Sequence, residues 1–308
     1  MAIRLFIDGA AGTTGLEIRE RLQGRGEFEL LVLDGARRKD EAARRDALHA
    51  ADIAILCLPD EAAKDAVKLV EGGSTRIIDA SSAHRVAPGW IYGFPELIGH
   101  DAIANARFVT NPGCYPTGFL ALIAPLVRAG MLPADWPYTV NAVSGYSGGG
   151  NALIARFGKE GAPAFRAYGY DMAHKHRPEM KRYAELEHGV IFAPAVVPAY
   201  RGMVVEVPLH LGAMPNAPVA NHLRAALQDF YAQSPIISVA DDAAPEELLL
   251  ERSAPPSDSM TLHVIGNEGE WHARFVAQLD NLGKGASGAA IQNLNIMCGL
   301  PETTGLRL

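Results

Sequence analysis

Short apolar runs separated by helix-forming stretches fill the first third of the chain. Ile3-Arg4-Leu5-Phe6-Ile7-Asp8 is the first run, followed at once by Gly9-Ala10-Ala11-Gly12-Thr13-Thr14-Gly15 and a helical stretch from Thr14 to Leu22. Phe28–Leu33, Ala51–Leu58 and Arg76–Asp79 read as further strands, with a helix over 61–70 between the last two. Strands that alternate with helices predict a doubly wound, parallel sheet of Rossmann type. Beyond residue 130 the pattern changes: Tyr138–Ser144, Val190–Val197, Gly202–Leu211, Met260–Val264 and Trp271–Leu279 are strand-like, with one helix over 219–230 among them. Many strands with few helices predict an α+β domain with a mixed or antiparallel sheet. The stretch 241–259, rich in Pro, Ala, Glu and Ser, reads as a surface loop with a short helix. Over 285–300 the apolar positions Ala289, Ile291, Leu294, Ile296 and Met297 predict a helix that packs back on the first domain. The division expected is therefore 1–115, completed by 286–308, and a second domain over 116–285.

Length and composition agree with this division. The 308 residues exceed one ordinary core, and 48% hydrophobic with 20% charged residues is a globular balance. A net charge of −7 argues against a nucleic-acid or anionic-membrane surface. No apolar run reaches the ~18 residues of a membrane span, and the chain opens directly on a strand. The three cysteines, Cys57, Cys114 and Cys298, are odd in number and far apart, so no disulfide framework is implied. A reduced, cytoplasmic enzyme is expected.

Cys57 and Cys298 lie in apolar runs and read as packing residues. Cys114 differs. Asn111-Pro112-Gly113-Cys114-Tyr115-Pro116-Thr117-Gly118 follows the strand-like Arg107-Phe108-Val109-Thr110 and precedes an apolar-periodic helix through Phe119, Leu120, Leu122, Ile123, Leu126 and Val127. Pro116 suits a first helical turn, which puts Cys114 at the helix mouth. Unpaired amides and the helix dipole favour an anion there and activate a thiol. Cys114 is the expected nucleophile.

Gly9, Gly12 and Gly15 between the first strand and its helix supply the context of a dinucleotide site. Glycines permit a tight turn and close approach to a pyrophosphate, and the helix opening at Thr13 and Thr14 offers its amides. Asp34, nineteen residues after Gly15, is placed to hold an unphosphorylated ribose. Arg37, Arg38 and Lys39 are placed to hold a 2′-phosphate. The local residues leave NAD and NADP open.

A cysteine nucleophile needs a proton partner. Asp171-Met172-Ala173-His174-Lys175-His176-Arg177-Pro178-Glu179 is the richest source, since histidine titrates near neutrality. His174 and His176 lack a third and fourth ligand at metal spacing, so no metal is expected. Ser81-Ser82-Ala83-His84-Arg85 follows the strand ending at Asp79 and is a second candidate lining. Ser144-Gly145-Tyr146-Ser147-Gly148-Gly149-Gly150 has donors enough to hold a phosphate and glycines enough simply to turn; both readings stand.

Taken in order, G-A-A-G-T-T-G, N-P-G-C-Y-P-T-G, S-G-Y-S-G-G-G, H-K-H-R-P-E and L-D-N-L-G-K-G-A-S-G-A-A-I-Q-N resemble the N-acetyl-γ-glutamyl-phosphate reductase family in its shorter bacterial form. That family is grouped with the aspartate-semialdehyde and glyceraldehyde-3-phosphate dehydrogenases, so the resemblance implies a dinucleotide-binding domain and a catalytic, oligomerising one. It implies Cys114 as nucleophile and His174 as general acid/base. It implies a substrate site with Arg85, Tyr115, Ser144, Gly145, His176, Arg177 and Glu179. For the cofactor it implies Gly9, Gly12, Thr13, Thr14, Gly15, Arg37, Arg38, Ser81 and Asn281, and tips the choice to NADP. Ser81-Ser82-Ala83-His84-Arg85 stands where longer members carry S-A-D-F-R, which leaves His84 without an implied role. The implied reaction is NADPH-dependent reduction of an acyl phosphate to a semialdehyde by a homo-oligomer, a dimer or tetramer. The rivals are a reductase of aspartyl phosphate or an aminoadipate derivative, and a dinucleotide-binding regulator without catalysis.

Overall fold

In strand β1 (Ile3–Asp8), Leu5 and Ile7 enter one apolar core and Phe6 enters another. This alternation of faces is what a sheet covered on both sides requires. The computed structural model describes residues 2–33, 35–241, 245–267 and 269–308, and the chain divides into two compact units. The first is Met1–Pro112 with Ala286–Leu306; the second is Gly113–Gly285 with Arg307–Leu308.

In the first unit β1 is joined by β2 (Phe28–Leu31), β3 (Ile53–Leu56), β4 (Arg76–Asp79), β5 (Ile91–Tyr92) and β6 (Phe108–Thr110). The six strands are parallel throughout, in the order β2-β1-β3-β4-β6-β5. The chain winds outward from β1 to β2 and then returns past β1 to β3, so the order reverses between β1 and β3. Ligands of such sheets sit outside the carboxyl ends at that reversal. Ile18 and Leu22 of the helix Thr13–Leu22 share a core with Leu5, Ile7, Ile291 and Leu294. On the other face Leu48, Ala63 and Ala66 pack with Phe6 and Leu56.

Two features depart from the sequence pattern. The helix Glu41–Ala50 buries only Ala43 and Leu48, too few to show a periodicity, and starts where Asp40 accepts the Ala43 N–H at 2.7 Å. The last helix, Gly288–Met297, is buried on every side, including Gln292, Asn293 and Asn295. Its polar positions are hydrogen-bonded inside: Asn293 Nδ2 donates to Gly93 O at 2.9 Å and Asn295 Nδ2 to Glu302 O at 2.9 Å. Arg76 joins this helix to its surroundings, donating to Met297 O and Ala104 O at 2.6 Å each and to Ala106 O at 2.7 Å.

The second unit is a seven-stranded mixed sheet. Its strands are β7 (Thr139–Gly145), β8 (Arg166–Ala167), β9 (Ile191–Val197), β10 (Met203–His210), β11 (Ile237–Val239), β12 (Met260–Asn267) and β13 (His272–Leu279), in the order β11-β12-β13-β10-β7-β9-β8. β7 and β9 are parallel, as are β11 and β12, and the other pairs are antiparallel. The helix Cys114–Arg128 is buried from Tyr115 to Val127 and lies against β10 and β13 with the helix Ala220–Tyr231 beside it. Alternation along β10 buries Met203, Val205, Val207 and Leu209 on that face. The opposite face shows Asn141, Glu206, Pro208, His210, His272 and Arg274, with Arg274 Nε bonded to Glu206 Oε1 at 2.6 Å. The short helix expected within 241–259 is absent among the described residues. Pro255 and Pro256 lack donors, and the carbonyls of Leu249 and Arg252 accept instead from Gln278 Nε2 and Tyr200 N. No helix among the described residues is long and apolar enough to cross a membrane.

Candidate active site

The first unit presents a glycine cradle at the reversal point of its sheet. Gly9 has φ +91°, and a Cβ there would lie 2.3 Å from Cys57 O; a Cβ on Gly15 would lie 2.5 Å from Gly9 O. Both glycines are therefore fixed by the turn's own packing. Gly12 differs, since a Cβ there meets nothing closer than 3.5 Å. Gly12 caps the helix that opens with Thr13 and Thr14, without any side-chain cap bond, and leaves backbone room for a pyrophosphate. Arg37 and Arg38 lie on an exposed turn, Arg37–Lys39; Asp34 lies outside the described residues. The cradle fits a dinucleotide.

Beside it, the fully buried Asp79 carboxylate organises the loop after β4. It accepts from Ser81 N at 2.9 Å and Ser81 Oγ at 2.7 Å, and it meets His84 Nδ1 at 2.6 Å. The His84 ring stacks on Trp90 at 4.2 Å. Arg85 is buried and donates from Nε to Asn111 O at 3.1 Å, three residues before Cys114 in sequence. Asp8, at the end of β1, is paired with Arg44 at 2.8 Å. Sequence reading missed that pair, because nothing local links an arginine of one helix to a strand end thirty-six residues earlier.

In the second unit Cys114 is the first residue of its helix, after the cap residue Gly113. The buried Glu179 carboxylate accepts the Gly113 N–H at 3.1 Å and so holds the turn before Cys114. His176 caps the helix Arg177–Tyr183, and its backbone N–H donates to His174 Nδ1 at 3.2 Å. Four rings enclose the His174 imidazole: His176 at 4.7 Å, Phe192 at 5.0 Å, Tyr168 at 5.6 Å and Tyr115 at 6.2 Å. The Tyr168 hydroxyl reaches that of Tyr115 at 3.3 Å, and Tyr115 donates to Ala195 O at 3.1 Å. Burial, with Tyr168 and Cys114 nearby, pushes the Tyr115 phenol well above its ordinary pKa; burial raises Tyr168 too. Both phenols stay protonated donors through the neutral range.

Arg177 donates to the carbonyls of Met172 and, at 2.9 Å, Val190, which ties the segment carrying His174 to β9's approach. Met172 itself has φ +57°, so that segment folds tightly back. Of the glycine-rich segment, Gly145 N, Tyr146 N and Ser147 N donate to the carbonyls of Gly202, Ala199 and Tyr200. Those amides form a turn against the chain rather than an open phosphate cradle. Ser144 is buried, its hydroxyl bonded to Gly145 O at 3.0 Å. Asn281 donates to Ser147 Oγ at 2.9 Å, and its Oδ1 is a buried acceptor without a partner among the described residues. Asp280 next to it pairs with Arg201 at 2.8 Å. Tyr168 and Arg201 escaped sequence reading; the alternation Arg166-Ala167-Tyr168 shortly before His174 was the available signal for Tyr168.

Burial pushes the Cys57 thiol up to about 12, aided by Asp79 and Asp8, and pushes Cys298 up to about 11. Neither is a nucleophile near neutral pH. No group of three or more metal-ligating side chains occurs among the described residues. A thiol at a helix mouth, a caged histidine and a dinucleotide cradle make up the parts for covalent reduction of an acyl group.

Comparison with known proteins defines the class. The chain matches the semialdehyde dehydrogenase NAD binding domain over residues 4–106 and the semialdehyde dehydrogenase dimerisation domain over residues 114–281. Among solved structures it is similar to aspartate semialdehyde dehydrogenase II of Vibrio cholerae complexed with ASA. That likeness has a TM-score of 0.72 at 18% identity and covers 97% of this chain and 99% of that one. Aspartate semialdehyde dehydrogenase of Francisella tularensis gives 0.73 at 15% identity, over 96% and 100% of the two chains. Among sequence relatives, the N-acetyl-gamma-glutamyl-phosphate reductase of Chelativorans is 49% identical, over 96% of this chain and 98% of its own. N-acetyl-gamma-glutamyl-phosphate reductase 2 of Nostoc is 46% identical, over 98% and 99%. The chain belongs to the N-acetyl-gamma-glutamyl-phosphate reductase family.

Proposed function

We propose that this enzyme reduces N-acetyl-γ-glutamyl phosphate to N-acetylglutamate 5-semialdehyde, a step of arginine biosynthesis, with NADPH as reductant. The observation that carries the reading is Cys114 at its helix mouth, its turn held by Glu179 and the caged His174 in the same unit, in a chain of this family. The Cys114 thiolate attacks the acyl carbonyl and expels phosphate, leaving a thioacyl-enzyme. Amides of the first helical turn are suited to an oxyanion on that carbon. A nicotinamide dinucleotide held by the glycine cradle would supply the hydride for reduction of the thioester. His174 exchanges protons as the thiohemiacetal collapses and the semialdehyde departs. His176, Arg85, Tyr115, Ser144, Gly145, Arg177 and Glu179 are read as the substrate site and its supports.

Gly9, Gly12, Thr13, Thr14, Gly15 and Ser81 would hold the dinucleotide, and Asn281, whose Oδ1 is a buried acceptor, is read as the partner of its carboxamide. NADP is favoured because Arg37 and Arg38 stand exposed on the turn after β2. The unit Met1–Pro112 with Ala286–Leu306 serves the cofactor, and the unit Gly113–Gly285, which begins one residue before Cys114, serves chemistry and self-association. A homo-oligomer fits the match of residues 114–281 to a dimerisation domain. A cytoplasmic location suits a thiol nucleophile in a chain whose cysteines are all free.

The test is turnover in both directions with purified protein, read by the absorbance of the reduced nicotinamide. N-Acetylglutamate 5-semialdehyde with phosphate and NADP should be oxidised far faster than aspartate semialdehyde or the aminoadipate homologue. A reversed preference would transfer the enzyme to a rival substrate. No turnover with any of them would leave a binding protein.

A further inference from the structure

The catalytic scheme gives no task to Arg166 of the second unit. Arg166 lies on the edge strand β8, opposite Val196 of β9, and is partly buried. Its guanidinium carbon sits 4.2 Å from the centre of the Tyr168 ring. That ring in turn stands 5.6 Å from the His174 imidazole, and its hydroxyl touches that of Tyr115. The neighbouring guanidinium groups are committed. Arg177 donates to the carbonyls of Met172 and Val190, and Arg201 to the carboxylate of Asp280. Arg166 has neither a carboxylate nor a carbonyl on its guanidinium among the described residues; the aromatic face is its contact there.

A guanidinium held over a ring face keeps its N–H donors for other partners, and a guanidinium fork matches a carboxylate two-to-two. A partly desolvated cation in that state is incomplete until an anion arrives. The acyl phosphate of the proposed reaction carries two anionic groups. Its phosphate is on the carbon that Cys114 attacks, and its α-carboxylate is at the far end of the chain. Arg166 is one ring removed from His174, displaced from the reacting centre, which matches the far end.

We infer that Arg166 is a specificity-determining residue that grips the α-carboxylate of the substrate, its plane set by the face of Tyr168. The inference rests on the functional reading above. It explains how a site of this class measures its substrate: Cys114 fixes one end and the Arg166 fork fixes the other.

The test is kinetics in the aldehyde-oxidising direction, with N-acetylglutamate 5-semialdehyde, its α-carboxamide analogue and inorganic phosphate varied separately. Arg166→Ala should raise KM for the semialdehyde about ten- to a hundredfold, as loss of a charge-assisted pair does, with kcat within about threefold. The KM for phosphate should stay unchanged, and the carboxamide analogue should be handled equally by both proteins. Arg166→Lys should recover part of the loss. Equal losses on acid and carboxamide would reveal a merely structural residue and overturn the inference. A raised KM for phosphate would move Arg166 to the leaving group, and unchanged kinetics would remove it from the site. A parent enzyme inert toward both aldehydes would sink the functional reading itself, and this inference with it.

Discussion

Gly285 stands against Cys114: an alanine methyl at 285 would lie 2.9 Å from the cysteine Cβ and 3.1 Å from Asp280 O. The segment cannot retreat. Gly285 N–H donates to Asp280 O at 3.0 Å, and the Asp280 carboxylate is held by Arg201 and by Leu282 N at 2.9 Å. Gly285→Ala should therefore displace the nucleophile and lower kcat about ten- to a hundredfold, since small misplacements of a reacting group are costly. The melting temperature should fall by a few degrees at most. Parent-like kcat in a folded variant would show that the two residues are not in register during catalysis.

The two histidines should separate by pH. His174 Nδ1 accepts the His176 N–H, which assigns the proton of the neutral ring to Nε2. In the function proposed above, His174 carries the proton transfer. His174→Asn should depress kcat more than KM and flatten the limb of the pH–rate profile near the histidine pKa. His176→Asn should mainly raise KM, by removing binding shared by ground and transition states. The opposite pattern across pH 5.5 to about 9 would exchange the roles.

Much of this was legible in the chain. β1 followed by three spaced glycines, the strand–turn–helix around Cys114 and the change of pattern near residue 130 give both sheets and the helix mouth at which Cys114 sits. What was not legible has physical causes. Glu41–Ala50 hides because it buries two side chains; the last helix was legible from its apolar positions, but the burial of Gln292, Asn293 and Asn295 beside them was not. The glycine-rich segment left phosphate holder and turn in balance; only the carbonyls of Ala199, Tyr200 and Gly202, more than fifty residues on, show where three of its amides go. Arg166 sits on a two-residue edge strand, too short to announce itself, and Tyr168 follows directly after it.

The proposed preference for NADP rests on Arg37 and Arg38. Their joint replacement by alanine should raise KM for NADPH about tenfold or more and hardly change that for NADH, because only the 2′-phosphate loses charge-assisted bonds. Equal kcat/KM for the two cofactors in the parent enzyme would reject the preference.

Arg76 carries a stability prediction independent of catalysis. Its side chain donates to the carbonyls of Ala104, Ala106 and Met297, joining three segments of the first unit. Arg76→Met keeps much of the bulk and strands those acceptors, so it should cost about 2–4 kcal/mol. Denaturant unfolding of both proteins checks this. A midpoint unchanged by the substitution would mean that water replaces the guanidinium without loss.

The central claim is that an acyl group passes through Cys114. Mixing enzyme with the acyl phosphate in the absence of NADPH should release phosphate in a burst stoichiometric with active sites. Intact-protein mass should rise by one acyl group, carried on the peptide with Cys114. Cys114→Ser should fold normally, show neither burst nor adduct, and lose about a thousandfold or more in rate, hydroxyl being the far poorer nucleophile. An adduct on another residue, or a serine variant within about tenfold of the parent, would contradict the account.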